Sequence, residues 1–280
     1  MPLFSVVIPL YNKADTIERT LRSVAGQVSR DFEVVVVDDG SKDDGAAIVE
    51  RFEGLPSLRV IRQTNAGVSA ARNKGVAESR GKFMAFLDAD DEWMPMFLKE
   101  MADVLAAHPE ARILGSGYER VANGRLYRCR PRRKLFVCNL FKVWPYFQPM
   151  NSSSIVIEKR AFEEVGGYRE DLRFWEDGEL WFRLAARNKF YIVRKPLSRY
   201  NDDAQNAATN ARSRIKKTAP HMELLGQWIR KGRATPEMKG CLCNTRRMIV
   251  ARLTTDPLFW IYKRIRFYLW FSRSRGAFDA

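Results

Sequence analysis

Histidine is almost missing from this chain: His108 and His221 are the only two in 280 residues. Cysteine is little commoner, at Cys129, Cys138, Cys241 and Cys243, and no two of these fall at zinc-finger or redox CxxC spacing. A structural zinc centre and dithiol exchange are therefore excluded, and the thiols are expected to stay reduced in a cytosolic protein. Long apolar runs are missing too. The greasiest stretch, 258–271, is broken by Lys263, Arg264 and Arg266, so no membrane-spanning helix is expected. The apolar opening, 1–10, has neither the basic start nor the cleavage site of a leader peptide, and runs straight into Tyr11-Asn12-Lys13 as a first strand would. Acidic residues are scarce at the far end. Residues 211–280 hold 4 of them against 16 basic ones, which places about twelve of the net fifteen positive charges in the last quarter. A pI near 9.9 calls for an anionic partner. There is no internal repeat and no low-complexity segment.

What is present is alternation. Strand-like runs at 4–10, 32–37, 58–61 and 82–87 are separated by helical patterns at 15–28, 43–52 and 68–78, and a further helix is predicted over 94–107. That order predicts βαβ units in a doubly wound, mostly parallel α/β sheet with right-handed crossovers. Beyond it, 113–128 predicts an antiparallel pair turning at Asn123-Gly124, followed by a basic loop over 128–134. A strand is predicted at 155–157, a short helix at 159–165 stopped by Gly166-Gly167, and another helix over 176–187.

Two carboxylate clusters stand out. Asp88-Ala89-Asp90-Asp91 follows the buried-strand run 82–87, and Glu176-Asp177 opens the helix at 176. In an open α/β sheet the carboxyl ends of the strands form the ligand edge. Two like charges about 4 Å apart repel by roughly 4 kcal/mol at an effective dielectric near 20, so a cation is expected among these groups, with a divalent metal holding a phosphate the economical choice. Simpler uses exist for each residue. Asp39 and Ser41, or Asp90 and Asp91, suit helix caps, and Glu176 and Asp177 suit a helix dipole.

Taken in order, 7–12 (Val-Ile-Pro-Leu-Tyr-Asn), 36–41 (Val-Val-Asp-Asp-Gly-Ser), 65–73 (Asn-Ala-Gly-Val-Ser-Ala-Ala-Arg-Asn) and 86–91 (Phe-Leu-Asp-Ala-Asp-Asp) resemble the successive motifs of the family 2 glycosyltransferases. The likeness continues through Ser153-Ser154-Ile155, Val165-Gly166-Gly167-Tyr168 and Trp175-Glu176-Asp177, covering roughly 3–200. It implies a GT-A fold and an inverting transferase that uses a nucleotide-sugar donor. Position by position, it implies that Pro9, Tyr11, Asn12 and Asp39 hold the nucleoside, with Asn65, Gly67 and Arg72 nearby. Asp88 and Asp90 become the DxD pair, Asp90 the more direct ligand of Mn²⁺ or Mg²⁺ and Asp88 nearer the ribose. Asp177 becomes the general base and Glu176 its acceptor-orienting neighbour. Trp175 and Trp181 suit stacking on acceptor sugars, although Trp181, a helical turn from Asp177, equally suits the core. Many relatives carry a His in a Tyr-Arg-x-His pattern where this chain reads Arg199-Tyr200-Asn201-Asp202, so Asn201 or Asp202 is the available substitute.

The expected organisation is a transferase domain over 1–205, with a nucleotide part at 1–110 and an acceptor part at 111–205, then a helical basic extension over 206–280. The expected reaction moves a sugar, from UDP, to a hydroxyl of a lipid-linked bacterial glycan such as lipopolysaccharide, on the inner face of the cell membrane. A sugar-phosphate nucleotidyltransferase would need a glycine-rich loop where Tyr11-Asn12 stands, and a dinucleotide dehydrogenase would need GxGxxG after the first strand. A basic nucleic-acid binder would leave the acidic edge unexplained and has no recognisable motif, so nucleic acid is not an expected partner.

On a helical wheel Leu258, Ile261, Tyr262, Ile265, Tyr268 and Leu269 share one face, and Lys263, Arg264 and Arg266 share the other with Trp260 and Phe267, which suits an anionic membrane surface. Full-length protein is expected to sediment with phosphatidylglycerol vesicles at low salt, less at high salt, and a chain ending near Arg212 to stay in solution. Equal sedimentation of both would make the tail a packing element.

Overall fold

A computed structural model describes residues 1–55, 57–122, 124–131, 134–144, 150–202 and 220–243. The first half alternates as expected: β1 (Phe4–Leu10), α1 (Ala14–Ala25), β2 (Phe32–Asp38), α2 (Gly45–Glu50), β3 (Leu58–Arg62), α3 (Val68–Glu78) and β4 (Phe83–Phe86). β1, β2 and β4 are buried almost throughout and chiefly apolar, as strands of a parallel sheet covered on both faces are. The strand order is β3-β2-β1-β4, all parallel, so the order reverses at β1. Register fixes what emerges there. Leu10 pairs with Asp38 and Val7 with Phe86, which brings the loops after β1, β2 and β4 out on one edge at the switch point.

The second half adds β5 (Glu92–Trp93), α4 (Phe97–Ala107), β6 (Ile113–Ala122), β7 (Arg125–Cys129), β8 (Leu135–Cys138), α5 (Leu140–Val143), a 3₁₀ turn (Ser152–Ser154), β9 (Ile155–Glu158), α6 (Lys159–Glu164), α7 (Glu176–Ala185) and β10 (Phe190–Asp202). Here pairing is chiefly antiparallel: β9 lies between β4 and β6, β7 pairs with β6, and β5 and β8 pair with β10, while β6 and β10 run parallel. The α/β sheet is as expected, and its parallel character belongs mainly to the first four strands. The antiparallel pair 113–128 is also borne out, with Gly124 at φ 69° in its turn. Asn123 and residues 132–133 of the basic loop lie outside the described residues.

Several element bounds change, and the helix expected over 15–28 closes at Ala25. The helix expected from 94 begins at Phe97, because Glu92 and Trp93 pair with Arg199 and Ser198 and the Trp93 ring stacks on Phe97 with centroids 4.2 Å apart. The helix expected over 43–52 contracts to 45–50. β8 and the thirteen-residue β10 were not anticipated; Lys195-Pro196, where the β6–β10 register slips, interrupts the pattern a strand is read from.

The chain divides into a large unit, Met1–Leu140 with Gln148–Glu223, and a small one to which, among the described residues, 141–144 and 224–243 belong. The small unit contains most of α8 (Pro220–Arg230) and a helical stretch over 236–243. The aromatic and basic stretch 258–271 lies outside the described residues. No described helix is long and apolar enough to cross a membrane.

α3 is laid close on the sheet by small residues: Ser69, Ala70, Ala71 and Gly75 are on its buried side. A Cβ at Gly75 would sit 2.4 Å from Val7 Cγ1, inside β1. Gly75→Ala is therefore expected to lose about 1 to 3 kcal/mol in chemical denaturation despite alanine's better helix propensity. A neutral or stabilising result would show that α3 can lift off β1 freely.

Candidate active site

The ledge at the sheet edge is laced by short polar contacts. Asn12, at φ 50°, donates its N–H to Ser41 Oγ and accepts the Lys42 N–H on Oδ1. Asp38 accepts the Ser41 N–H. Asp39 is buried and caps no helix; Oδ1 accepts from Gln63 Nε2 and Ala66 N, and Oδ2 from Gly67 N, all within 2.8–2.9 Å. Its carboxylate thus folds the 65–67 loop onto β2, and Gly67, at φ 94°, supplies the left-handed backbone this requires. Pro9 is half-buried beneath this ledge, while Tyr11 and Asn65 stand exposed on it.

The cation among the carboxylates is Arg72. Its side chain is 3% exposed, with Nη2 2.6 Å from Asp88 Oδ1 and Nη1 3.2 Å from Asp177 Oδ1 and 3.4 Å from Glu176 Oε1. Burial works against the charge, but Asp88, Asp177 and Glu176 hold the guanidinium's pKa well above its ordinary value. Its guanidinium carbon lies 5.2 Å from the centroid of the Tyr168 ring, whose buried hydroxyl has no hydrogen-bond partner among the described residues. Asn73, one residue on, accepts the Tyr168 N–H and donates to Tyr168 O, fixing that loop.

A second cation meets the other member of the pair: Lys13 Nζ lies 2.7 Å from Asp90 Oδ2. Asp91 neither caps α4 nor faces the edge. It is fully buried, accepts from Ser153 Oγ and Asn201 N, and burial, then Asp88 and Asp90, push its pKa well up. Asn201 also donates from Nδ2 to Asp90 O, so the residue standing in for the expected histidine braces the backbone of this loop.

The 3₁₀ turn joins the two clusters. Ser153 Oγ accepts the Asp88 N–H and donates to Asp91, Ser153 O accepts from Trp93 Nε1, and Ser152 Oγ donates to Asp177 Oδ2. Lys13 and Ser152 are the site residues that sequence reasoning missed; three consecutive serines ahead of a strand were the available signal for the second.

Trp175 precedes α7 at φ 65°, 36% exposed, with its ring 5.5 Å from that of His221. Trp181 is 4% exposed and belongs to the core, so it has no face for a sugar. Burial and the neighbouring Asp177 charge raise the Glu176 pKa to about 7 against the pull of Arg72. No cluster of three or more metal-ligating side chains occurs among the described residues. Asp88 and Asp90 still fit a hard divalent ion that takes its other ligands from a diphosphate, and the Lys13 ammonium already marks a cation position on Asp90.

A mixed sheet that reverses order at β1, with an acidic edge at its switch point, defines a nucleotide-sugar-type α/β domain of GT-A fold. The sequence matches the profile of Glycosyl transferase family 2 over residues 5–166, and the chain belongs to that family. An uncharacterized glycosyltransferase of Rickettsia bellii is 31% identical over 68% of this chain, a stretch that makes up 28% of the Rickettsia protein. The chain thus spans well under two thirds of that relative. S. aureus TarS 1–349 in complex with UDP-GlcNAc superposes with a TM-score of 0.68 at 25% identity, covering 80% of this chain and 64% of that one. The mannosyltransferase PcManGT from Pyrobaculum calidifontis, in complex with GDP-Man and Mn²⁺, shares the fold at a TM-score of 0.63 and 23% identity, over 87% of this chain and 68% of its own.

Between its ordinary 4.5 and about 7, Glu176 in the folded protein keeps a proton that the unfolded chain has released. Stability therefore falls as pH rises through that window. Glu176→Gln should escape this loss and gain on wild type between about pH 5 and 8, by on the order of 2 to 3 kcal/mol in denaturant melts. Parallel pH profiles would show that Glu176 titrates normally.

Proposed function

We propose that this chain is an inverting glycosyltransferase that moves a sugar from a nucleotide donor, UDP-linked, to a hydroxyl of a growing lipid-linked glycan. The observation that carries this reading is the Arg72 bridge, which puts the carboxylate at the nucleotide edge, Asp88, and the carboxylate at the start of α7, Asp177, on one guanidinium. A donor held at one end and an acceptor activated at the other need that closeness.

Tyr11 offers an exposed ring for the base, with Pro9, Asn12 and Asn65 around it and Asp39 and Gly67 shaping the ledge. Asp88 faces the ribose and diphosphate end. A divalent ion, Mn²⁺ or Mg²⁺, held by Asp90 with Asp88 would offset charge on the departing nucleoside diphosphate. Asp177 takes the proton of the acceptor hydroxyl as its oxygen bonds to the anomeric carbon, while the bond to the diphosphate breaks on the opposite face. Arg72 and Ser152 hold both Asp177 oxygens, which fixes the direction of that proton transfer. Glu176, its pKa raised to about 7 by burial and by Asp177, brings less than a full negative charge to the cluster near neutral pH. Trp175 presents the acceptor face. UDP is favoured by TarS, which was solved with UDP and with UDP-GlcNAc. The lipid-linked acceptor and a position on the inner face of the cell membrane rest on the positive charge of 211–280.

The test is a set of donor-hydrolysis and melting measurements with UDP- and GDP-sugars on wild type and Asp177→Asn. The variant should bind donor as wild type does and lose about 10² to 10⁴ in turnover. Retention of more than about a tenth of the rate would remove Asp177 from the role of base, and no stabilisation by any nucleotide sugar would overturn the reading.

A further inference from the structure

We propose that Lys13 makes divalent-metal uptake at Asp90 conditional on bound nucleotide. The proposal rests on the metal reading of Asp88 and Asp90 given above and adds a gate to it.

Both partners of the Lys13–Asp90 pair have fixed backbones. Lys13 is the residue preceding α1, and its carbonyl accepts the N–H groups of Thr16 and Ile17 at 3.1 and 2.9 Å. The segment carrying Asp90 is gripped from the same helix: Thr16 and Thr20 hydroxyls donate to Ala89 O, Thr20 also to Asp91 O, and Arg19 Nη2 to Asp90 O. The ion pair itself is made by the two side chains alone. Lys13 places its ammonium 2.7 Å from Asp90 Oδ2, with the two side chains 25% and 16% exposed, so the pair is poorly screened by water.

An ammonium hydrogen-bonded to Oδ2 and a dication on the same carboxylate repel each other at contact distance. The other carboxylate of the pair, Asp88, is ion-paired with the buried Arg72, which it shares with Asp177. A free ion therefore meets two carboxylates that already face cations, and must displace the Lys13 ammonium from Oδ2 to gain Asp90. A nucleoside diphosphate changes the balance, because it contributes oxygen ligands for the ion and negative charge that the displaced ammonium can face. Metal and nucleotide then bind cooperatively, and by linkage each tightens the other by the same factor.

The experiment uses the full-length protein, with Mn²⁺ followed by the loss of its free EPR signal and UDP followed by calorimetry, each alone and in the presence of the other. Wild type is expected to bind Mn²⁺ alone weakly and to show strong mutual tightening with UDP. Lys13→Met should bind Mn²⁺ alone about tenfold more tightly, with the tightening by UDP reduced by a similar factor. Lys13→Arg, which keeps the charge, should behave as wild type, and melting curves report whether the variants are folded. Unchanged or weaker Mn²⁺ binding by Lys13→Met, unchanged coupling, or a Lys13→Arg that behaves like Lys13→Met would each overturn the gate. These outcomes, obtained with a wild type that binds UDP, leave the nucleotide reading standing. A wild type that binds UDP neither with nor without Mn²⁺ overturns both.

Discussion

The site depends on one buried guanidinium. An arginine taken out of water with a single partner is a poor bargain, because the desolvation penalty rivals the attraction gained. Arg72 instead meets Asp88, Asp177, the carboxyl of Glu176 and the face of Tyr168, and the two aspartates chiefly keep it ionised in a place where burial disfavours charge. The dependence runs the other way as well. Without Arg72, Asp88, Glu176 and Asp177 would face one another with no internal counter-ion, and the segment around 175–177 would be pushed from the sheet edge.

Around this centre, hydroxyls and amides set positions and leave the charges to Arg72 and Lys13. Asp39 organises the loop beside it through backbone N–H groups, and the 3₁₀ turn spends one serine on the strand-end loop and another on α7. The left-handed backbone at Asn12 and Trp175 belongs to the same scheme. A non-glycine residue at positive φ costs free energy and persists where its surroundings over-determine it. Here both lie immediately beside residues the site uses, Lys13 in one case and Glu176 in the other.

Much of the first half was legible in the sequence because its signals are local. Largely apolar runs at 4–10 and 32–37 fall on strands of the sheet, and α3 falls on 68–78 as its pattern indicates. The carboxylate clusters also announced that a cation lay among them. Its identity was not readable, since it depends on Arg72 meeting residues more than a hundred positions away. The role of Asp91 was hidden for the same reason: capping is a local inference, whereas its partners Ser153 and Asn201 arrive from two other elements. Trp181 shows the limit of residue type as a guide, because an aromatic one turn from Asp177 serves a core as readily as a sugar, and only its burial decides.

The antiparallel insertion of β9 between β4 and β6 has a consequence for assembly. Every pairing in β3-β2-β1-β4 joins strands made within the first 86 residues, so the nucleotide ledge can form as the chain emerges. The Arg72 contact with Asp177 spans 105 residues, and the chain between them includes β9, which pairs back onto β4. Contacts of such long range form slowly, since the intervening chain must be closed before they repay its entropy. During synthesis Arg72 is therefore left facing Asp88 and water until Asp177 arrives.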